Sequence, residues 1–510
     1  MKKYKIIFGT AILGLVLSIS GCKKSFLDIN DNPNAATDNN ITPDLIFPAG
    51  AVGVGGRAAS GNFTFLNNWM GYLSASGDFA IQQDETSYNF DRTGYQAIWQ
   101  NHYNVLFDLY QTKTKALAGG DSVLAGASMI LSAKLWQELV DMYGNIPYSD
   151  AFNVQNTITP KYDKDYDVYR QLHQSLDKAI SYMHGTASLK FPNTVSSVKF
   201  GTLAGTNQAA WIRYANTLKL RLLIHAADAP TPVPGITQAT ELAKIVAEGG
   251  VLASGETVYI NPGYANEVNK QSPFYANYGF APTGTDANTS SRANVYQVNT
   301  ILASDPRLSA IYAAPSAGGA ITGTKYGQAT PSNPDGKHSS KHGPGLLVSP
   351  TQNQWVLTSV EAMFLRAEAA NRGWVIGASS PTPAAAYNAA VQESFTFLGA
   401  GSAATYLTTH VYSGLATAGS TSSIIFQKYV ALNSIDVIEA YVDYRRFNAS
   451  YLPAGYISVN PSRINTATNK LPNRFLYPQE EYTLNAANVQ AQGNIDNNTI
   501  FTGAKIFWQP

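Results

Sequence analysis

Cysteine is all but missing: Cys22 is the single one in a chain of 510 residues. That excludes a disulfide framework and any multi-cysteine metal site. Charge is scarce too. Charged residues make up 14%, with 35 Lys and Arg against 34 Asp and Glu. So even a balance excludes the basic footprint of a nucleic-acid binder. After residue 21 no stretch reads as apolar enough to span a bilayer. Sustained period-two alternation is absent, which disfavours a β-barrel. The catalytic vocabulary is thin, with no Walker A sequence, no HExxH and no GxSxG elbow. The glycines of GVGGRA (53–58) lack the preceding strand that a dinucleotide fingerprint needs, although an acid, Asp78, follows at a suitable distance. His338 and His342 in KHSSKH are four apart, but in a Gly/Pro/Ser loop, so the sequence favours a solvated loop over a metal pair.

What is present begins at the N-terminus. Lys2, Lys3 and Lys5 precede an apolar run from Ile6 to Ile19, the form of a signal peptide. Ile19-Ser20-Gly21-Cys22 then matches a bacterial lipobox. Small residues let a peptidase approach, and the thiol is the one group there that can carry a thioether-linked lipid. Cys22 is therefore expected to be the lipidated first mature residue, its acyl chains holding the protein to a membrane. The alternative is an ordinary signal peptide with an incidental cysteine. Residues 22–45, rich in Asn, Asp and Pro, read as a turn-rich tether. Asp28, Asn30 and Asn32 have calcium-like spacing but lack the rest of an EF-hand loop, so Asx turns explain them better.

Beyond the tether, residues 46–510 are expected to form one domain. Apolar residues recur at helical spacing at Tyr95, Trp99, Tyr103, Leu106 and Tyr110. They do so again at Met129, Ala133, Trp136, Val140 and Tyr143, with Gly144 placed to stop the helix. Similar patterns place helical pairs over about 90–225 and 355–446. Alanine-rich faces suit the close hairpins of tetratricopeptide-type repeats, although no clean 34-residue period is present. Loop-rich regions fall at about 46–90, 227–353 and 447–510, and loops of such length in a compact domain are usually functional or disordered. TVYI (257–260) reads as a short strand. The expected fold is mostly α, with a tetratricopeptide-like helical-hairpin scaffold, long irregular loops and a few short strands.

Paired carboxylates are what a glycosidase needs. Asp163, Asp165 and Asp167 read as an exposed helix start. Glu361 and Glu368 sit in an alanine-rich helix, and Asp443 has Arg445 and Arg446 beside it. Glu480 and Glu481 are open to the same structural reading. Nothing in this set requires an enzyme, and His225 on an apolar helix face reads as a hydrogen-bonded core residue. Aromatic residues are plentiful instead, with 30 tyrosines. Trp69, Tyr72, Tyr88, Phe90, Tyr95 and Trp99 fall close together among Asn, Asp, Gln and Ser, and Phe274, Tyr275 and Tyr278 form a second cluster. Ring faces match the axial C–H patches of sugars, and amides and acids match their hydroxyls. Core packing is the competing use of these rings, favoured for Tyr95 and Trp99. The candidate ligand residues are Trp69, Tyr72, Asp78, Tyr88 and Tyr275. No catalytic residue, metal or cofactor is assigned.

Seven segments in order carry a family resemblance. They are CKKSFLDINDNPN (22–34), LVDMYGNIPYSDAF (139–152), WIRYANTLKLRL (211–222), DPRLSAIY (305–312), EAMFLRAEAANRGW (361–374), QKYVAL with DYRRF (427–432, 443–447) and PNRFLYPQEEYTLN (472–485). Together they resemble the SusD/RagB family of outer-membrane nutrient-binding lipoproteins of the Bacteroidetes. The resemblance implies a surface-exposed lipoprotein that captures oligosaccharides, or peptides in some members. It would pass them to a SusC-like TonB-dependent barrel without chemistry. It also implies that Gly144, Pro147, Asp305, Arg307, Asp443 and Arg445 serve the fold, as turn residues and ion-pair anchors. The family's ligand residues follow no motif, so none carries over. Two rivals remain at this level: a surface glycosidase, and a helical-repeat adaptor that binds no small molecule.

Overall fold

Short turns and close helix contacts build the scaffold. The structure, a computed structural model, describes residues 41–59, 61–80, 83–185, 199–201, 207–327, 333–378, 380–453 and 471–510. Cys22, the signal segment and the Asp28–Asn30–Asn32 spacing lie outside them. Helix α1 (Pro43–Ala58) takes in the last three residues of the expected tether. Its glycines are packing residues, not a nucleotide loop. A Cβ on Gly53 would lie 2.6 Å from Val105 Cγ2, and one on Gly50 2.9 Å from Leu109 Cδ2.

Those contacts seat α1 on α4 (Gln96–Ala118), after α2 (Thr64–Trp69), β1 (Leu73–Ala75) and α3 (Gln83–Ser87). A Gly-Gly-Asp turn then reverses the chain. Gly120 takes φ +80°, and Asp121 caps α5 (Ser122–Tyr143) by accepting from Leu124 N. Gly144 ends α5 at φ +73°, as its place in the sequence foretold. By length and composition α5 could cross a membrane, which corrects the expectation that no such stretch exists. Its apolar surface is consumed by packing, with 89% of the window buried.

Helices α6 (Asp165–Met183) and α7 (Gln208–His225) form the next pair, with β2 (Lys199–Gly201) between them in sequence. Then come α8 (Gln238–Ala247), β3 (Val258–Asn261), α9 (Pro273–Tyr278), β4 (Ser291–Ala293), a π-turn (Gln297–Ile301) and α10 (Leu308–Ile311). No element is assigned among the described residues from 313 to 353. The second helical half holds β5 (Gln354–Leu357), α11 (Ser359–Asn371), α12 (Pro383–Phe397), α13 (Ala404–Thr409), α14 (Ile424–Ala431) and α15 (Val437–Arg446). Short helices α16 (Gln479–Leu484), α17 (Ala486–Gln490) and α18 (Thr499–Thr502) finish the chain. Chain neighbours pack in series through α4, α5, α6 and α7, and α7 also meets α11. Strands are few and antiparallel: β1 with β4, and β3 between β2 and β5. The fold is mostly α, as the residue pattern predicted, and TVYI does contribute a strand.

Ionic groups thread the scaffold's interior. Arg221 of α7 lies 3.0 Å from Glu361 and 2.9 Å from Glu439. His225 meets Glu439 at 3.0 Å and Asp141 at 3.3 Å, in the core as expected. Lys428 reaches Glu439 at 2.6 Å and Asp443 at 2.9 Å. Asp305 and Arg307 pair at 2.6 Å. For Arg445 the expectation is corrected. It is Arg446 that pairs with Asp443, at 2.7 Å, while Arg445 donates to the carbonyls of Asp141 and Asn473. Asp165 is corrected as well: it is buried and accepts from Phe507 N.

Candidate functional site

The antiparallel meeting of β1 and β4 opens a cleft. Pairing Ala75 with Ser291 sets a short floor, bounded by the N-terminal turns of α2, α3 and α4. The cavity measures about 550 Å³. Its apolar wall is Phe65, Phe79, Tyr95 and Ile98, and its polar wall is Asn62, Asn68, Asp84, Glu85 and Asp91. Phe79 is 42% exposed, on the turn that follows β1. Among the described residues no Lys or Arg lines the cleft.

Electrostatics divide the three carboxylates. Glu85 is buried, and burial pushes its carboxyl upward, offset by the hydrogen bond from Asn68. That bond, Asn68 Nδ2 to Glu85 Oε1, is 2.8 Å. Asn68 Oδ1 is buried with no donor among the described residues. An unpaired buried amide oxygen costs free energy; this one is covered, so it faces the protein interior and not the cavity. Asp91 is held low by hydrogen bonds from the Thr93 hydroxyl and amide. Asn68 also lines a neighbouring pocket of about 220 Å³ with Asn294, Asn299, Lys325 and Tyr326. Among the described residues no three His, Cys, Asp or Glu side chains converge to hold a metal ion. Such a cleft can bind by stacking and hydrogen bonding.

The sequence-expected residues scatter. Trp69 is 2% exposed and packs between Phe65, Phe90 and Tyr88, at ring separations of 4.8, 4.9 and 5.8 Å. Tyr72 is fully buried, stacked on Tyr429 at 4.8 Å, its hydroxyl donating to Tyr429 O. Tyr88 ends α3 at φ +56° with its ring turned into the core. A ring covered on both faces offers no stacking surface, so the expectation of a ligand platform at these three is corrected. They are an aromatic core beneath the cleft. Tyr275 is half-buried on α9 and lines none of the clefts described here, while its neighbours Phe274 and Tyr278 are core. Asp78 is exposed near the cleft, but its Oδ2 accepts from Gly336 N at 2.7 Å. It latches the 333–338 segment to the turn that carries Phe79. His342 is a core residue, and exposed His338 bonds to Asp335.

Sequence reasoning missed Phe79 and Asn68. Phe79 had a signal: it is a lone apolar residue in the turn-like SGDFA, with no periodic partner. Asn68 had none, because its place between two clefts is visible only in three dimensions. Gly77 secures the same turn. A Cβ there would lie 2.1 Å from the Asn333 carbonyl oxygen, which is backbone and cannot rotate away. Gly77→Ala is expected to cost about 1–2 kcal/mol by overpacking. Limited proteolysis should then cut earlier within 333–340, and an unchanged cleavage pattern would contradict this.

Comparison with known proteins follows the same outline. A family model described as starch-binding and associating with the outer membrane, SusD-like, matches residues 50–478. No protein with a curated description matches. Among solved structures, a chitin-binding SusD homologue from Flavobacterium johnsoniae is similar at 21% identity. The match covers 91% of this chain and 98% of that one, with a TM-score of 0.69. A SusD homologue from Bacteroides thetaiotaomicron matches at 19% identity over 91% and 98%, TM-score 0.68. One from Bacteroides fragilis matches at 17% identity over 92% and 99%, TM-score 0.67. At these identities the likeness concerns the fold.

Proposed function

The chain belongs to the SusD-like family, and from that premise we propose that it binds a nutrient oligosaccharide at the cleft between β1, β4 and the N-terminus of α4. Members of the family are carbohydrate-binding proteins, not enzymes. The observation that carries the site is the exposed Phe79 ring lining one cavity with Asn62, Asp84 and Asp91. A sugar ring stacks its C–H face on Phe79 and Tyr95 and donates hydroxyls to Asp84 and Asp91. Glycan binding by a relative, the chitin-binding homologue, supports the class of ligand.

Acylation at Cys22 holds the protein to the outer membrane at the cell surface, beside a SusC-like TonB-dependent transporter that receives the ligand. Transfer requires release, so the affinity belongs in the micromolar to millimolar range, about −8 to −4 kcal/mol. Mass spectrometry of membrane-extracted protein tests the acyl chains, and an unmodified Cys22 would remove the anchor from this account. Screening purified protein on a glycan and peptide array tests the ligand. Phe79→Ala is expected to weaken saccharide binding about tenfold, the loss of one stacked ring contact. Unchanged affinity would remove the site. Peptide binding alone would favour a peptide-capturing member, and release of shortened saccharides would favour a glycosidase.

A further inference from the structure

A second cleft, of about 470 Å³, lies on α4 one turn past the first. The first is lined by Tyr95, Ala97 and Ile98 of that helix and its approach. The second is lined by Trp99, Gln100, Tyr103 and Asn104. Spacing explains what this side of α4 presents. Trp99, Tyr103, Phe107 and Tyr110 recur at intervals of four and three, so their side chains share one face. Trp99 and Tyr103 sit 4.9 Å apart, and Phe107 is 40% exposed. A stripe of rings at helical spacing is ordinarily core. Here the stripe runs from core to solvent: Trp99 is buried, Tyr103 and Tyr110 are half-buried, and Phe107 is exposed beside exposed Gln100 and Asn104.

Phe152 completes the tract, and it does so under strain. Its φ is +64°, a left-handed conformation that bulky residues rarely adopt. Strain of this sort persists where the surroundings over-determine it, and it clusters at functional sites. The consequence is a ring laid 5.5 Å from Phe107 and 5.4 Å from Tyr110. Glu480, which also lines the cleft, accepts from Gln100 Nε2 at 2.5 Å. Glu481 is fixed by the Tyr162 hydroxyl at 2.7 Å. Rings with amides and carboxylates beside them in one cleft match a ligand that is apolar on one face and hydroxylated around its rim.

We infer that the aromatic tract of α4, with Phe152, Asn104 and Glu480, is a second saccharide-binding site, one that holds a polymer where it extends beyond the first cleft. The inference rests on the proposed saccharide function for its class of ligand, and it differs in place and residues. The two clefts use successive turns of one rigid helix. A long chain therefore meets both at a fixed separation, and the second contact raises retention through effective concentration.

The test uses purified full-length protein, with glycol chitin and soluble starch as polymers and chitohexaose and maltoheptaose as short probes. Affinity gel electrophoresis reads polymer retention, and calorimetry reads the short probes. The parent is expected to be retarded by at least one polymer. Phe107→Ala combined with Asn104→Ala is expected to lower that retention about tenfold, with an unchanged melting temperature. Asn104→Arg crowds the cleft while leaving every ring in the sequence and is expected to do the same, so a folding defect in the first variant cannot decide the matter. Retention equal to the parent in both variants, while Phe79→Ala still weakens the short probes, overturns the second site and leaves the first standing. A parent that holds none of the four saccharides overturns the saccharide reading of the first cleft, and this inference with it.

Discussion

Replacing Arg221 with methionine is expected to destabilise the fold by about 3–5 kcal/mol at pH 8, the usual cost of stripping one partner from a buried ion pair. Arg221 is fully buried between Glu361 and Glu439. Glu439 keeps Lys428 and His225 after the change. Glu361 keeps no cation as close as Arg221's 3.0 Å. Burial already pushes the Glu361 carboxyl up to about 7 despite Arg221. Without the guanidinium it rises further and takes a proton. A folded-state value above the unfolded one favours the native state at low pH, and that contribution is lost as pH rises through the folded value. The variant's deficit should therefore shrink toward pH 6. Adding Glu361→Leu to Arg221→Met should recover much of the loss, since apolar replacement of a buried pair is often neutral or better. Urea midpoints of the parent and both variants at pH 6 and 8 check all three statements. A single variant as stable as the parent at pH 8 would show that the network does not carry the helical halves.

At the acid end, a His342→Phe variant is expected to lose less stability than the parent as pH falls, by about 2–3 kcal/mol at pH 4.5. His342 is buried against Tyr278 at 4.6 Å and Phe274 at 5.4 Å. Burial, helped by the positive charges of Arg292 and Lys341, holds its imidazole down to about 3. The unfolded chain takes that proton near pH 6.5 and the native one does not, so the unfolded state binds more protons throughout the interval. Stability due to this residue is complete above pH 6.5 and drains away as pH falls toward 3. Phenylalanine keeps a ring in the cluster and removes the titration. The measurement is the difference in unfolding free energy between variant and parent at pH 7.5, 6.0 and 4.5. A difference that stays constant across the series would mean that His342 is protonated in the native state, or that the site opens to water.

Two histidines, His225 and His342, mark how far the sequence could be read. His225 was legible as a core histidine because its helix face is apolar throughout. His342 was not, because it stands in a Gly/Pro/Ser loop that reads as solvated, and only long-range packing against α9 and Tyr312 buries it. Gly144 was legible as a helix stop, since a left-handed C-terminus demands glycine locally. The glycines at 50 and 53 were not, since their role is set by Val105 and Leu109, some fifty residues away. The same division separates Trp69 from Phe79. Both are rings close to polar residues, and composition cannot say which is covered.

By itself the sequence determined the helical class, the helix stop at Gly144 and the family, since each rests on local periodicity or on short ordered motifs. Tertiary structure alone decided which aromatics face solvent, which acids pair with which bases, and where the clefts open. Exposure and pairing depend on residues hundreds of positions apart, and no local pattern encodes which of them will meet.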